Sequence, residues 1–265
     1  KRPDNIPTTI VFDTSFVANE FPMKEFLEQL APHKPRVVIQ IHSALKLDQE
    51  GLEFSNAGLM SVFSTTKPVV NGVAKRMRKY RAHMGLGLTL EQIAALDYSG
   101  FLDFDLCERH SNSIFKNNAR LARKLETGDD LLFIAKSHPV LQDHQSSPWA
   151  IAPFVNVLMK PATGKYDRDL LKYVFFKEAI QRELTFKPGS SYGFRGHRVE
   201  ATIQDEQGLH TIRVAMGCRE GPSLDGTIDL LNEISRLGSF EKLRSRYPEF
   251  LETVRRFAEL QENVS

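Results

Sequence analysis

The sequence predicts an α/β protein, with a mostly parallel sheet in a first domain and a smaller α+β domain after it. Three observations lead to this fold class. Short apolar runs rich in β-branched residues surround a segment of helical spacing within residues 8–63. A long stretch of helical periodicity follows, and short strands and helices mix beyond it. The 265 residues, 41% hydrophobic and 26% charged, suit a globular protein of two domains, which we place at residues 1–104 and 105–265.

The first domain is predicted to open with a strand, a helix and two further strands. Apolar runs joined through a helix favour strands that are buried on both faces of a parallel sheet. In such sheets, active-site residues collect at the carboxyl ends of the strands. The predicted elements are a strand at residues 8–13, a helix at 23–30, and strands at 36–41 and 59–63.

The second domain is predicted to follow a mainly helical region that covers residues 74–127. From Cys107 onward, the apolar residues of this region have spacings that suit one face of a helix, so we expect a long helix that connects the two domains. After it we predict strands at 131–135, 154–159, 198–203 and 211–216, helices at 167–183 and 225–237, and a last helix beyond Gly238 that extends through Leu260.

The charge of the chain argues against nucleic acid as a partner. The net charge of +2 is too small for general binding of polyanions. A local basic cluster, Lys75-Arg-Met-Arg-Lys-Tyr-Arg81, is predicted to form the solvated face of a helix.

Hydropathy likewise gives no sign of a membrane protein. No apolar run approaches the length that crosses a bilayer, and the first residues lack the apolar core of a signal peptide. We expect a cytoplasmic protein without membrane contact.

The cysteines and histidines do not form a metal-binding pattern. Cys107 and Cys218 have no ligand spacing and are too few for a disulfide framework, so both are predicted to be buried free thiols. His138 and His144 flank Asp143 in a segment that contains proline, where polar contacts of a loop are expected instead of a metal.

Lys46 follows the apolar strand segment that begins at Arg36. Lysine is rarely buried, and a lysine held away from water is more easily neutral, which is the form that reacts with an aldehyde. Taken by itself, the segment also fits a lysine that simply extends into water.

Two further charged residues change the interpretation of Lys46. Asp13 ends the first predicted strand and Arg213 lies within the last one, although Asp13 could also cap a helix and Arg213 could pair with a surface carboxylate. Together, the three residues supply what pyridoxal phosphate chemistry needs. A carboxylate keeps the pyridine nitrogen protonated, a lysine binds the cofactor covalently, and an arginine binds a substrate carboxylate through two hydrogen bonds.

Several segments between about residue 10 and residue 237 also occur in the order of a known family. The chain resembles the C-terminal part of the fold-type I pyridoxal-phosphate enzymes, and most closely the cysteine/methionine metabolism (trans-sulfuration) group, which includes cystathionine synthases and lyases. The segments that carry the resemblance are Asp13-Thr-Ser-Phe16, His42-Ser-Ala-Leu-Lys46, Arg81 to Gly87, Leu106-Cys-Glu-Arg109, Asn117-Asn-Ala-Arg-Leu-Ala122, Ser137-His-Pro-Val-Leu141 with His144, Ser190-Ser-Tyr-Gly193 and Ile212-Arg-Val-Ala-Met-Gly217.

The resemblance implies a role for each candidate residue. Lys46 would form the internal aldimine with pyridoxal 5'-phosphate, Asp13 would pair with the pyridinium nitrogen, and Ser43 would bind the phosphate. Arg213 and Ser191 would bind the carboxylate of an amino-acid-like substrate. The implied reaction is that of a carbon–sulfur lyase or transferase. Aminotransferase chemistry is the alternative, and a non-catalytic domain that retained the fold is the competing hypothesis.

Departures from the family pattern concern the cofactor site. Leu45 stands where the family has a hydroxyl residue, which removes one phosphate ligand. The family's glycine-rich phosphate loop and ring-stacking aromatic residue belong to an N-terminal half. The resemblance therefore implies that this chain is the second half of the large domain followed by the small domain, and that it needs an N-terminal half in cis or from another chain. A homo-oligomer, either a dimer or a tetramer, is also implied.

Overall fold

The structure is a computed structural model that describes residues 9–17, 20–33, 35–65, 67–142, 150–164, 166–189, 194–202 and 210–254. The chain divides into two compact units between Asn112 and Ser113, and each unit is described by itself below. Both combine helices with a β-sheet, which confirms the predicted α/β class. Among the helices of the described ranges, none is long and apolar enough to cross a bilayer.

The first unit contains a three-stranded sheet and a group of helices. Its helix at Leu90–Leu96 begins with a capping box: the Thr89 hydroxyl accepts from the Gln92 amide, and the Gln92 side chain accepts from the Thr89 amide at 2.9 Å. The elements are β1 (Thr9–Asp13), α1 (Met23–Leu30), β2 (Val37–Ser43), β3 (Gly58–Phe63), α2 (Lys67–His83), α3 (Leu90–Leu96) and the first part of α4 (Phe104–Lys124).

The sheet of the first unit has the order β1-β2-β3 and mixes the two pairings. Strands β1 and β2 are parallel, as predicted, and Thr9 pairs with Val37 while Asp13 pairs with Ile41. Strands β2 and β3 are antiparallel. The reason is the connection between them, which consists of turns and contains no crossover helix of the kind that parallel neighbours require.

Few apolar side chains of the first unit are fully buried. Phe26 of α1 and Phe21 just before this helix both contact Phe12 of β1, with ring centroids 4.6 Å apart for Phe12 and Phe26 and 5.2 Å apart for Phe12 and Phe21. On the opposite face of the sheet, Val11 and Met60 are exposed by 58% and 46%. Helix α2 has no buried residue, and the cationic side chains of its basic segment are exposed, as the sequence predicts.

The second unit contains a five-stranded sheet that is covered on one face. The strand order is β4-β5-β8-β7-β6, with only the β6–β7 pair parallel. The remainder of α4 and further helices complete the described part of the unit. Its elements after α4 are β4 (Phe133–Ser137), β5 (Val155–Met159), α5 (Asp167–Gln181), β6 (Phe186–Pro188), β7 (His197–Thr202), β8 (His210–Ala215), α6 (Pro222–Arg236) and α7 (Phe240–Arg246).

The core of the second unit follows from the alternation of its strands. Val155, Val157, Ile212 and Val214 lie on the covered face and are fully buried, whereas Asn156 between them is exposed. Apolar residues of α4, α5, α6 and α7 complete this core, among them Leu121, Phe175, Leu231 and Phe240. Helix α4 is therefore amphipathic over its second half, as its spacing predicts.

The structure corrects several predictions of secondary structure. The helical region at 74–127 is three helices, since the chain turns at Gly85 with a positive φ of 64° and again at residues 97–103. The predicted last helix is interrupted at Tyr247, because Pro248 cannot donate a helical hydrogen bond; residues 249–254 are helical again, and the predicted end at Leu260 lies outside the described residues. Strand β6 has no counterpart in the prediction.

The segment that follows β8 is held in place by side chains of α4 and β7. The Asn118 side chain accepts from the Met216 amide at 2.9 Å and donates to the Met216 carbonyl at 2.8 Å. Asn117 donates to the Gly217 carbonyl at 2.8 Å, and the Gly217 amide donates to Nδ1 of His197 at 3.1 Å. These bonds replace the strand partners that the backbone loses where β8 ends.

Gly217→Ala is expected to destabilise the second unit strongly. A Cβ at this position would lie 2.6 Å from the carbonyl oxygens of Gly196 and Phe194, so the backbone must shift. We expect a loss of about 2–4 kcal/mol in the free energy of unfolding, measured by urea denaturation. Gly128→Ala is the matched control, because a Cβ there meets nothing within 4 Å, and it should leave stability unchanged or slightly higher. Equal stability of the two variants would contradict this packing.

His197 is expected to make the second unit less stable in acid. Burial, together with the charge of Arg219, lowers the pKa of His197 from 6.5 to about 4. The unfolded chain thus binds a proton that the folded chain excludes, so stability falls as pH drops from about 6.5 toward 4. Urea denaturation should show a loss of about 2 kcal/mol between pH 7 and pH 5.

The variant His197→Asn isolates this effect. Its amide oxygen can still accept from the Gly217 amide, but the side chain does not titrate. The loss between pH 7 and pH 5 should therefore be smaller than in the wild type. Parallel losses in the two proteins would show that His197 is not the group responsible.

Candidate active site

The carboxyl ends of β1 and β2 are joined by the Ser15 side chain. The Ser43 amide donates to Oγ of Ser15 at 2.8 Å, and the Ser15 amide donates to Oδ1 of Asp13 at 2.7 Å. The Thr14 amide continues the strand ladder by donating to the Ile41 carbonyl at 2.9 Å. Asp13 is exposed on the sheet face that also carries Val11. The structure therefore brings two predicted residues, Asp13 and Ser43, to the same end of the sheet.

Lys46 lies in the turn that directly follows β2. Ala44 and Leu47 on either side of it are fully buried, and the Ala44 amide donates to the Ala57 carbonyl at 2.9 Å. Lys46 itself is half-buried, and within the described residues its side chain forms no ion pair. The Leu45 amide donates to the Ser43 hydroxyl at 3.3 Å. Lys46 thus lies in a turn that is anchored by the buried side chains of Ala44 and Leu47.

The chain after Lys46 is held by buried polar side chains. The Gln49 side chain is fully buried and bonds the Ser55 backbone twice, donating to its carbonyl at 2.6 Å and accepting from its amide at 3.0 Å. Between them, Glu50 and Glu53 adopt positive φ values of 50° and 54°. Such a conformation is costly for residues other than glycine, and it persists where the surroundings enforce it.

A histidine and an aspartate, His42 and Asp48, meet beneath this turn. Nε2 of His42 lies 3.3 Å from Oδ2 of Asp48, a separation within ion-pair range although the angle is not that of a hydrogen bond. The Asp48 side chain is 1% exposed and that of His42 10%. His42 belongs to a segment that carries the family resemblance, whereas Asp48 is not among the predicted site residues.

Cys107 contacts the same region as a protonated thiol. Burial raises its pKa to about 11, and the charges of Asp48, Glu50 and Asp103 add to the effect. Its Sγ lies 3.7 Å from the Asp48 carbonyl oxygen, to which the thiol donates. A thiol in this state is neither a nucleophile nor a metal ligand, in agreement with the predicted buried free cysteine. Cys218 likewise forms no disulfide within the described residues, but it is only partly buried, which corrects the prediction for that residue.

Arg213 lies on the open face of the sheet in the second unit. Its Nε donates to Oδ1 of Asn156 at 3.4 Å, and its guanidinium carbon lies 4.5 Å from the centroid of the Phe154 ring. Asn156 on β5 and Glu200 on β7 are the direct cross-strand partners of Arg213 in the register. The contacts of Asn156 and Phe154 with Arg213 are not among the predictions from the sequence.

The remaining predicted site residues are only partly described. Ser191, like Asp143 and His144, lies outside the described residues. His138 is buried, with Nδ1 accepting from the Val140 amide at 3.1 Å and Nε2 lying 3.2 Å from the Ala152 carbonyl. In the part of the chain that the structure describes, no group of three or more histidine, cysteine or acidic residues could hold a metal ion.

The residues at the carboxyl ends of β1 and β2 fit part of a pyridoxal phosphate molecule. Asp13 offers an exposed carboxylate for a protonated ring nitrogen, Lys46 an amine for the aldehyde, and Ser43 a hydroxyl for the phosphate. Leu45 is half-buried and supplies no further donor from its side chain. The set therefore offers groups of the kinds that the ring nitrogen and the aldehyde require, and it covers the phosphate in part.

The fold is similar to that of known enzymes of sulfur amino-acid metabolism. No protein-family model matches the sequence, and no curated protein matches it. Among solved structures, cystathionine gamma-lyase from Lactobacillus plantarum, complexed with L-serine, is similar with a TM-score of 0.57 at 12% identity. Methionine gamma lyase from Micromonospora echinospora gives a TM-score of 0.56 at 16% identity, and O-acetylhomoserine sulfhydrylase of Wolinella succinogenes 0.52 at 14%.

These similarities cover most of this chain but only part of the other proteins. They span 85%, 86% and 83% of this chain, and 56%, 54% and 61% of the three enzymes in the same order. The chain thus spans little more than half the length of the solved structures that it matches. At these identities the likeness concerns the fold, so the chain has the fold of a part of the fold-type I pyridoxal-phosphate enzymes.

Proposed function

We propose that this chain is the C-terminal portion of a pyridoxal-phosphate-dependent enzyme that acts on an amino acid, with carbon–sulfur lyase or transferase chemistry of the trans-sulfuration kind. The proposal rests on the end of the first sheet. There Ser15 bonds to both Asp13 and the Ser43 amide, and Lys46 follows three residues after Ser43. The structural similarity to two gamma-lyases and a sulfhydrylase supports the same chemistry.

Each residue at this end of the sheet has a defined task in the proposal. When bound, pyridoxal phosphate supplies a reactive aldehyde and a ring that accepts electrons from the α-carbon of the substrate. Lys46 supplies the amine that holds the cofactor and then moves the proton at the α-carbon. The Asp13 carboxylate keeps the ring nitrogen protonated, and the Ser43 hydroxyl donates to the phosphate.

Arg213 is proposed to bind the substrate carboxylate, together with Ser191. A guanidinium binds a carboxylate through two parallel hydrogen bonds, which requires that its plane be held in one orientation. The Phe154 ring below the guanidinium and the Asn156 side chain beside it provide this support. Arg213 also lies on the uncovered face of its sheet, where a ligand has access.

The proposal includes an N-terminal half, supplied in cis or by another chain. The exposed apolar residues of the first unit support this part, because a folded protein rarely leaves so much apolar surface in water. They include Val11, Ile41 and Met60 on one sheet face, as well as Leu86, Leu90 and Ile93 near α3. The oligomeric state and the cytoplasmic location predicted from the sequence stay predictions.

Lys46→Ala is expected to abolish covalent attachment of the cofactor. The full-length polypeptide is incubated with pyridoxal phosphate, reduced with borohydride and digested, and the labelled peptide is identified by mass spectrometry. The wild type should carry the label at Lys46 and absorb near 420 nm before reduction, roughly where protonated imines of this cofactor absorb. Lys187→Ala, at an exposed lysine of the second unit, is the control and should be labelled as in the wild type.

Other outcomes of this experiment separate the competing hypotheses. An absorbance band that persists unchanged in Lys46→Ala would contradict the role of Lys46. A wild-type protein without any specific label would instead favour the non-catalytic domain, to which Leu45 already points. Labelling at Lys46 with amino-group transfer to a 2-oxo acid would favour the aminotransferase alternative.

Arg213→Lys is expected to weaken binding of amino acids that carry a free carboxylate. Lysine keeps the charge but lacks the planar pair of donors, so we expect the KM for L-cystathionine or L-methionine to rise about 10- to 100-fold. Arg168→Lys, at an exposed arginine of α5, serves as the control. An amine analogue without the carboxylate should be bound equally by wild type and variant. An equal loss for both kinds of compound would contradict the carboxylate role.

A further inference from the structure

Asp48 is a buried carboxylate two residues beyond Lys46. Its side chain is 1% exposed, and neither of its oxygens has a hydrogen-bond partner within the described residues. Burial of an ionised carboxylate costs several kcal/mol unless another group compensates for the lost water. Nε2 of His42, at 3.3 Å from Oδ2, lies within ion-pair range of this carboxylate.

The contact between His42 and Asp48 closes a short loop of chain around Lys46. His42 is the penultimate residue of β2, so its position is fixed by the sheet through its pairing with Leu59. Asp48 is fixed in turn because the Cys107 thiol donates to its carbonyl oxygen. The backbone that carries Lys46 therefore has a buried anchor on each side.

A buried carboxylate at position 48 does not stabilise the fold more than an apolar side chain would. A buried ion pair generally contributes no more stability than well-packed apolar residues of the same size, whereas it does define one arrangement of the chain. The turn also has apolar anchors already, since Ala44 and Leu47 are fully buried. The contact between His42 and Asp48 adds a tie between the two ends of the turn, which the burial of Ala44 and Leu47 does not supply.

We propose that His42 and Asp48 are positioning residues that hold the Lys46 turn in the orientation in which its amine reaches an aldehyde bound at the end of the sheet. The role of Lys46 in this inference rests on the proposed function. That His42 and Asp48 fix the turn rests on the geometry alone. Nucleophiles that are misplaced by about 1 Å lose about 100-fold in rate, so a small change in the turn has a measurable effect.

The variant Asp48→Asn tests the proposal with two readouts. The first is amide hydrogen exchange of the peptide covering residues 44–50, measured by mass spectrometry in the full-length protein. The second is the rate at which pyridoxal phosphate and borohydride label Lys46, expressed relative to labelling of Lys187 in the same sample. We expect exchange to rise at least about 10-fold and the labelling ratio to fall about 5- to 50-fold.

Asp167→Asn is the matched control. Asp167 is also a buried carboxylate, with a side chain 2% exposed, and it pairs with Arg244 in the second unit. This substitution should lower the overall stability while leaving both exchange of residues 44–50 and the labelling ratio unchanged. If Asp48→Asn does not fold, His42→Gln makes the same test, with the same expected results.

The two readouts separate failure of the inference from failure of the proposed function. Unchanged exchange at residues 44–50 in Asp48→Asn or His42→Gln overturns the positioning role, whatever the labelling. A rise in exchange with an unchanged labelling ratio also overturns it, because the turn would then move without consequence for Lys46. If the wild type is not labelled at Lys46 at all, the proposed function fails, and the hydrogen exchange alone decides whether the pair fixes the turn.

Discussion

The candidate site depends on the parallel pairing of β1 with β2. This register places Asp13 opposite Ile41, so that both strands reach the same edge of the sheet. Antiparallel pairing would send the residues after Asp13 and those after Ser43 to opposite edges. The bond from the Ser43 amide to the Ser15 hydroxyl extends the ladder past its last backbone partner. A single serine side chain thus links the two strand ends that carry the predicted cofactor ligands Asp13 and Ser43.

In the second unit, the backbone beyond the end of β8 is held in another way. There the backbone of Met216 and Gly217 bonds to the side chains of two asparagines on α4, instead of a neighbouring strand. Close packing of Gly217 against the carbonyls of Phe194 and Gly196 leaves no room for a side chain. Arg213 lies only a few residues earlier on the same strand, so these contacts hold the end of the strand that carries it.

Much of this arrangement can be predicted from the sequence, and the exceptions have physical causes. Apolar, β-branched runs locate β1, β2 and β8, so the positions of Asp13 and Arg213 on strands follow from the sequence pattern. Ser43 lies just beyond the predicted strand at 36–41, and β2 extends to include it. The burial of Asp48 cannot be predicted in this way, because an aspartate in a turn ordinarily faces water. Its burial results from tertiary packing around Leu47 and Cys107. Strand β6 is too short, at three residues, to show a period.

The unequal burial of the two units has a consequence for the energetics of the chain. Among the described residues, nearly all of the fully buried apolar side chains belong to the second unit. The first unit has a cluster of aromatic rings and a sheet with one solvent-exposed face. Since apolar burial provides most of the free energy of folding, the units cannot contribute equally to it. One unfolding free energy therefore cannot describe the whole chain. The turn with Lys46 belongs to the part where that free energy is smaller, and where binding of a ligand or a partner would add the most.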